Sequence, residues 1–394
     1  MSSIVIAGDT SGSVTLQAPA VSGSTTITLP ATSGTLLQSG TTVTEAQGGI
    51  GTTVGYNGFK NRIINGDMRI DQRNAGASYN QVNGQYSLDR WAGNSFDGGA
   101  ATNKFSVIQS STAPTGFSNS LLVTSLAATS SGASNIFNIE QKIEGFNFAD
   151  FLYGTASAQT LTLSFWVRSS LTGTFGGALK NSARNRAYPF TYTISAANTF
   201  EQKTITITGD TSGTWVGSTN GTGLWISFGL GVGSTYSGTA GAWGGGDVFS
   251  ATGATSVVGT NGATWYISGV QLEKGSTATS FDVRDYGREL ALCQRYYFSY
   301  LVPATCPQGF GHMQSTTAAR ILFPNPVPMR ATPTFTSLGS LGIASGGTSF
   351  IASASSVLGI SSAGVQMQFD VSGATAHQTC VYRDSGGTTF SAEL

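Results

Sequence analysis

Short runs in which polar and apolar residues alternate, separated by clusters of Gly, Ser, Thr and Asn, recur along most of this chain. Alternation with a period of two is typical of β-strands, because successive side chains point to opposite faces. Glycine makes up 53 of the 394 residues, about twice its usual share, and provides turns between the strands. Long helical periods do not intervene. We therefore predict an all-β chain.

The central part of the chain, residues 56–300, has the clearest strand patterns. Short intervals between strands favour an antiparallel β-sandwich or jelly roll over a parallel α/β sheet. One helix is predicted over 285–297, with Asp285 at its N-terminus, and it ends this domain. Trp166, Trp225 and Trp265 lie inside strand patterns, so we predict that they are in the core. The predicted central strands are 104–109, 161–168, 202–208, 224–230 and 264–272.

Residues 1–55 differ in composition from the rest of the chain, because Asp9 and Glu45 are their only charged residues. Two short alternating patterns place four aliphatic side chains on one strand face, and a segment this short has no second layer to cover them. We predict a β stalk in which the same segment from several subunits buries these side chains. A disordered Gly/Ser/Thr linker is the alternative. The predicted oligomerisation residues are Val14, Leu16, Ile27 and Leu29.

The last part of the chain, residues 301–394, opens with a change in composition. Six of the ten prolines fall between Pro303 and Pro333, which is typical of a linker or an extended sheet edge. Ser- and Gly-rich sequence comes next, with an alternating pattern at 365–371. We predict a small C-terminal β domain.

The charge balance excludes one class of partner. Lys and Arg number 19 and Asp and Glu number 19, so a basic nucleic-acid binder is not expected.

No window approaches 18 apolar residues, so no membrane insertion is expected. The first residues lack the basic and apolar regions of a signal peptide, so we expect synthesis in the cytoplasm. The three cysteines lack ligand-like spacing and are expected to be reduced and buried.

Four segments carry a resemblance to a known family: residues 61–74 (NRIINGDMRIDQRN), 86–91 (YSLDRW), 269–275 (GVQLEKG) and 290–297 (LALCQRYY). Together they resemble bacteriophage tail fibre proteins, particularly short fibres of phages that infect aquatic Gram-negative bacteria. The resemblance covers roughly residues 10–300 and is weakest over the last 90 residues.

The resemblance implies a homotrimeric virion appendage. It implies an N-terminal segment that attaches to phage tail, baseplate or adaptor proteins, and a central jelly roll similar to carbohydrate-binding modules. It also implies a distal domain that meets a bacterial surface polysaccharide. The expected location is the tail fibre of the virion.

Aromatic residues outside the strand patterns are the candidate ligand-binding residues. Tyr236 and Trp243 lie in a loop of small residues, where flat rings suit stacking on the apolar face of a sugar. Arg184, Arg186 and Tyr188 combine hydrogen-bond donors with a ring in the same way. The alternative is that these rings fold back onto the sandwich or contact a neighbouring subunit.

Carboxylates offer weaker candidates for chemistry. Asp67 and Asp71 would share a face on a strand, as a glycosidase pair requires. The surrounding arginines should favour the ionised carboxylates and a structural ion-pair network. Glu273, Asp282 and Asp285 could bind calcium, but interleaved basic residues favour salt bridges. We therefore predict no catalytic residues, no metal site and no cofactor.

Three functions remain open from sequence. The first is a trimeric fibre that binds a cell-surface glycan without cleaving it. The second is a tailspike that also degrades its polysaccharide. The third is a non-viral carbohydrate-binding module. Few, scattered acids in the central region favour binding without catalysis.

Overall fold

The computed structural model describes residues 59–301, 306–361 and 364–394, and the backbone of two strands near the N-terminus. The chain divides into two compact units, Met1–Tyr56 and Asn57–Leu394. None of the helices in the described residues is long and apolar enough to cross a membrane.

The first unit contains an antiparallel pair of strands, β1 (Ser3–Ala7) and β2 (Ser13–Gln17). The predicted strand around Val14 and Leu16 is confirmed, whereas its partner β1 was not predicted. Ile27 and Leu29 lie outside the described residues, as do the side chains of β1 and β2. The oligomeric stalk stays a prediction.

The second unit begins with the strands of the central region. The strands of this region are β3 (Tyr79–Asn80), β4 (Gln85–Leu88), β5 (Trp91–Asp97), β6 (Ala100–Ala101), β7 (Phe105–Ser110), β8 (Ser120–Ser125), β9 (Ile136–Glu144), β10 (Leu161–Ser169), β11 (Gly173–Lys180), β12 (Arg186–Ile194), β13 (Glu201–Ile207), β14 (Thr222–Val232), β15 (Ser237–Gly238), β16 (Gly244–Gly245), β17 (Ser250–Ala251) and β18 (Thr264–Lys274). All five predicted strands are present as β7, β10, β13, β14 and β18, with bounds within two residues of those expected.

Two antiparallel sheets form the central sandwich. One has six strands in the order β13-β10-β18-β8-β7-β3. The other has eight, in the order β16-β12-β11-β14-β9-β5-β4, with β6 also paired to β5. The short strands β15 and β17 form a separate parallel pair. This architecture confirms the predicted all-β fold with a central antiparallel jelly roll or β-sandwich.

Aromatic side chains from both sheets fill the core between them. Phe165 of β10 packs edge to face against Phe228 of β14, with ring centroids 5.2 Å apart. Trp265 of β18 is fully buried and its indole N–H donates to the hydroxyl of Tyr192 at 3.2 Å. The prediction that Trp265 lies in the core is confirmed. Trp166 and Trp225 are only half-buried, and for them the prediction is wrong.

The predicted helix is shorter than expected. Helix α1 spans Tyr286–Gln294, and the carboxylate of Asp285 accepts the main-chain N–H of Arg288 at 2.9 Å as its N-cap. The predicted end at residue 297 is wrong because Tyr297 begins the next strand. Cys293 is buried, but Tyr286 is exposed, so the apolar stripe is one turn shorter than its spacing indicated.

The C-terminal part of the unit has its own hydrophobic core, which includes Phe323, Phe369 and Tyr382. Its strands are β19 (Tyr297–Tyr300), β20 (Gly309–Met313), β21 (Ala318–Pro324), β22 (Thr334–Ser337), β23 (Leu341–Ser345), β24 (Thr348–Ile351), β25 (Ala354–Ile360), β26 (Gly364–Asp370), β27 (Thr379–Asp384) and β28 (Thr388–Ser391). They form a three-stranded sheet, β19-β28-β22, and a seven-stranded sheet, β24-β23-β27-β20-β21-β26-β25. The predicted strand at 365–371 is confirmed as β26, whereas the domain boundary at residue 300 stays a prediction.

The four sequence segments that carry the family resemblance meet in the folded chain. Much of this region is buried, so the segments are structural rather than exposed to a ligand. Three contacts connect them: Trp91 Nε1 to the main-chain oxygen of Asn65 at 2.9 Å, Val270 N to the main-chain oxygen of Gly66 at 2.9 Å, and the Arg90 guanidinium to the Tyr296 ring at 3.6 Å.

Candidate functional site

Four aromatic side chains pack together where β12 and β16 meet at one end of the eight-stranded sheet. We call Tyr153, Tyr188, Trp215 and Trp243 the aromatic edge. The rings of Trp215 and Trp243 are perpendicular, with centroids 5.5 Å apart, and Tyr188 lies 5.3 Å from Trp243. Both tyrosines are buried, whereas both tryptophans are half-buried. The edge therefore combines a fixed apolar base with two partly accessible indoles.

Hydrogen bonds hold the two indoles in place. Trp243 Nε1 donates to the main-chain oxygen of Thr208 at 2.7 Å, and Trp215 Nε1 donates to that of Ser212 at 3.2 Å. The hydroxyl of Tyr153 is buried and has no hydrogen-bond partner among the described residues. Burial raises the pKa of Tyr153, so this hydroxyl keeps its proton.

A charged pair lies next to the aromatic edge. Arg186 donates two hydrogen bonds to the carboxylate of Asp210, Nε to Oδ2 at 2.8 Å and Nη2 to Oδ1 at 2.7 Å. Arg186 precedes Tyr188 by two residues on β12 and so shares its face. The hydrogen bond to Asp210 raises the pKa of Arg186, while partial burial opposes it. Such a two-point pair presents polar groups in one plane.

The local chain conformation fixes this pair. In the turn before β12, Asn181 Oδ1 accepts the main-chain N–H groups of Asn185 and Arg186, each at 3.1 Å. Gly213 has φ of +80°, and a Cβ there would lie 2.6 Å from Cγ of Arg186. A larger residue at 213 would therefore displace Arg186.

A second cluster surrounds Phe249. The ammonium of Lys180 lies 3.0 Å from the Phe249 ring centroid and donates to Asp247 at 2.9 Å. Arg184 also pairs with Asp247, and Tyr236 packs edge to face on Phe249 at 5.9 Å. Lys180 has no exposed side-chain surface, and burial lowers its pKa to about 8. Burial of Asp247 favours its neutral form, but the two cations outweigh this and lower its pKa.

Trp225 belongs to the outward face of the eight-stranded sheet rather than to the core. Its neighbours in register are Lys142 of β9 and Lys180 of β11, whose ammonium groups lie 4.3 and 4.6 Å from its ring centroid. Its Nε1 is buried without a hydrogen-bond partner among the described residues. The strand pattern alone could not assign its face, because the large apolar residues Leu224 and Ile226 flank it and polar and apolar residues do not alternate there.

The structure regroups the five predicted ligand-binding residues. Trp243 joins Tyr188 and lies near Arg186 at the aromatic edge, whereas Tyr236 joins Arg184 beside Phe249. The reason is that Tyr236 directly precedes β15 whereas Trp243 directly precedes β16, which pairs with β12. Both rings fold back onto the sandwich, as the alternative interpretation stated. Their role in ligand binding stays a prediction.

Sequence reasoning missed three members of this region: Tyr153, Asp210 and Trp215. Trp215 follows a run of small polar residues, TSGT, and so carried the same local signal as Trp243. Asp210 gave no signal, because its partner Arg186 is 24 residues away. Tyr153 follows two short 3₁₀ turns, and Phe151 of the second turn is buried.

Asp67 and Asp71 do not form a facing pair. Residues 61–77 lie outside the strands. Asp67 forms an ion pair with Arg69, which confirms the ion-pair interpretation, while Asp71 accepts main-chain N–H groups of Arg73, Asn74 and Gly76. Burial raises the pKa of Asp67, and the ion pair with Arg69 opposes this effect, as the prediction about the arginines states.

The three acidic residues that we considered as calcium ligands instead accept hydrogen bonds from other groups of the protein. Glu273 accepts the N–H and hydroxyl of Thr279 at 2.9 and 2.7 Å, Asp282 accepts the N–H of Asn61, and Asp285 caps α1. Within 59–301, 306–361 and 364–394, no group of three or more His, Cys, Asp and Glu side chains is arranged to hold a metal ion.

The cysteines differ in exposure. Cys293 and Cys380 are buried free thiols, as expected, and burial raises the pKa of both. Cys306 is also free but exposed, so the expectation of burial is wrong for this residue. It lies in the proline-rich region, next to Pro307.

Comparisons with known proteins gave several solved structures with low sequence identity to this chain. No family model and no curated protein matches the sequence. The similar solved structures include the enzymatically active domain of bacteriophage CBA120 tailspike protein 4, at 14% identity and a TM-score of 0.31, covering 56% of this chain and 22% of that chain. The chain thus spans about a fifth of that protein's length.

Two further likenesses are to smaller proteins. A putative sugar binding protein from Bacteroides thetaiotaomicron has 12% identity and a TM-score of 0.32, with coverage of 55% of this chain and 100% of that chain. A family 11 carbohydrate-binding module from Clostridium thermocellum has 11% identity and a TM-score of 0.27, with coverage of 50% and 97%.

Proposed function

We propose that this chain is a glycan-binding adhesin that does not cleave its ligand, acting as the subunit of a homotrimeric phage tail fibre. The observation that carries the glycan-binding part is the aromatic edge beside the Arg186–Asp210 pair. Half-buried indoles and a fixed planar polar pair are the groups that recognise, respectively, the apolar face and the hydroxyls of a sugar.

Avidity explains how a shallow site could be sufficient. The aromatic edge is a surface rather than a deep pocket, so one site would bind weakly. Three identical sites on one fibre would raise the overall affinity through their effective concentration, by about 10²-fold or more. The proposed trimer and the proposed glycan binding therefore depend on each other.

The state of the nearby carboxylates supports binding without cleavage. A glycosidase needs one carboxyl group that holds a proton and a second one placed about 5–9 Å away. At the aromatic edge Asp210 is bonded at both oxygens to Arg186. The cations around Asp247 lower its pKa. Neither is prepared to act as a general acid.

The family resemblance supports the remaining parts of the proposal. We assign the N-terminal segment 1–55 to trimerisation and to attachment at the phage tail, baseplate or adaptor proteins. The ligand is a polysaccharide of the bacterial surface, and the working location is the virion.

Binding of fluorescently labelled full-length protein to host cells tests the proposal. Changing Trp215 and Trp243 together to alanine should reduce binding at least tenfold, because both accessible rings are lost. Tyr286→Ala is the matched control, since it removes an exposed ring from helix α1, and it should leave binding unchanged. Circular dichroism and light scattering check that each variant is folded and assembled.

Two results would contradict the proposal. Unchanged cell binding by a folded, assembled Trp215→Ala/Trp243→Ala variant would remove the aromatic edge as the site. Wild-type protein that fails to reduce phage adsorption after coating the cells at saturation would favour a purely structural role.

A further inference from the structure

A groove of about 520 Å³ crosses the outward face of the seven-stranded sheet. It extends over four neighbouring strands, β24, β23, β27 and β20. Phe310 and Arg383 are its two large side chains, and small residues such as Ala344, Ser349 and Thr379 line the space between them. Its volume is in the range of small-ligand sites.

The shape of the groove is built into the backbone. Ser345 and Thr348 are opposite each other in register, joined by Gly346 and Gly347, which both have positive φ, +56° and +82°. Positive φ at both central positions is typical of a tight type I′ hairpin, whose twist matches the strands. A Cβ on Gly346 would lie 2.7 Å from Gln378. The rim beside β24 is therefore a closely packed turn.

The side chains in the groove match the two faces of a sugar ring. In one row of the sheet, Ala344, Val381, Phe310 and Leu322 stand opposite one another on successive strands. Phe310 is 56% exposed, and an exposed ring on a rigid sheet can stack on an apolar sugar face. The hydroxyls of the groove residues provide hydrogen bonds for polar substituents.

The charge on this face indicates which chemical class of sugar the groove would bind. Arg320 and Arg383 are the two arginines whose guanidinium groups have no hydrogen bond, ion pair or ring contact among the described residues, and both occupy outward positions of the sheet. In the strands of the seven-stranded sheet, the outward acidic residue is Asp370. It lies at the end of β26, and its carboxylate accepts a hydrogen bond from the side chain of Gln368 at 3.2 Å. The groove itself contains one charged residue, Arg383. A free guanidinium is suited to two-point binding of a carboxylate.

We propose that this groove binds a carboxylate-bearing sugar, a uronic or similar acidic residue, within a surface polysaccharide. Arg383 binds the carboxylate and Phe310 stacks on the ring. This inference rests on the proposed glycan binding and adds a second, acid-selective site distinct from the aromatic edge. Such a site would make adhesion sensitive to salt, because partly exposed charges are screened.

Calorimetric titration of full-length protein with tetragalacturonate and tetramannuronate tests the proposal, with their carboxyl-reduced forms as neutral counterparts. At least one acidic probe should bind tenfold more tightly than its reduced form. Arg383→Gln should remove this difference, while Arg383→Lys should keep part of it. Arg288→Gln is the matched control, because it removes a cation from helix α1, and it should leave the titration unchanged.

Several results would overturn the inference. Equal binding of acidic and reduced probes, or no binding of either acid at millimolar concentration, removes the acid-selective site. If Trp215→Ala/Trp243→Ala abolishes acid binding and Arg383→Gln does not, the acid binds at the aromatic edge, so the proposed function stands and the groove fails. If Phe310→Ser lowers the assembled mass in light scattering, the face is a contact between copies of the chain.

Discussion

The carboxylate of Glu393 accepts a hydrogen bond of 2.6 Å from the guanidinium of Arg73, 320 residues earlier in the chain. Its other oxygen pairs with Arg90, whose side chain is 1% exposed. The end of the chain thus neutralises a buried cation beside the central sandwich. This carboxylate ties the last strand to the segments that carry the family resemblance.

Glu393→Gln should therefore be strongly destabilising. The glutamine keeps a hydrogen-bond acceptor but leaves the Arg90 charge buried without a counter-ion, which costs about 3–5 kcal/mol. Chemical denaturation measures this loss. Lys104→Gln is the control, because its pair with Asp97 is partly exposed, and it should cost less than about 1 kcal/mol. Equal losses for the two variants would contradict the role of Glu393.

Stability should depend on pH through Asp89. Burial raises the pKa of Asp89 to about 6, against attraction from Arg73. The folded state therefore binds a proton more tightly than the unfolded state, whose pKa is about 3.9. The contribution of this group favours folding below about pH 4 and is lost as the pH rises through 6, by about 3 kcal/mol in total.

Asp89→Asn should remove this dependence. The unfolding free energy of the variant minus that of wild type should increase from pH 4 to pH 7, because the asparagine cannot ionise. Asp97→Asn, at a partly exposed position, provides the control. A difference between Asp89→Asn and wild type that stays constant over this range would show that Asp89 has an ordinary pKa when folded.

Full-length protein should be a trimer. Light scattering is expected to give three times the chain mass of 40.6 kDa. Changing Leu16 and Leu29 together to aspartate should weaken assembly, because carboxylates brought to a shared axis would be desolvated and would repel one another. A monomeric wild-type protein would contradict the stalk prediction.

Host polysaccharide should survive incubation with the protein. We expect no new reducing ends over hours, because the carboxylates of the central region form hydrogen bonds and ion pairs with other groups of the protein. Asp67→Asn and Asp71→Asn are the variants to compare if release occurs. Release that either variant abolishes would assign catalysis to a carboxylate that we interpret as structural.

Much of the secondary structure could be predicted from local pattern. The strands β7, β10, β13, β14, β18 and β26 were each visible as alternation, and Asp285 marked the start of α1. These features depend on the spacing of neighbouring residues and on turn chemistry, which the sequence displays directly. The end of α1 was missed because Tyr297 pairs with Ser391 of β28, a contact that helical spacing does not reveal.

Local sequence also determined that aromatic rings would stand in loops of small residues, but not which rings would meet. Trp243 and Tyr236 are seven residues apart and enter different clusters, while Trp215 joins the first from another loop. Trp225 and Trp265 have similar strand contexts, yet Trp265 fills the core and Trp225 faces two lysines. Only the pairing of distant strands decides these positions, because register and sheet order place side chains that the chain separates by tens or hundreds of residues.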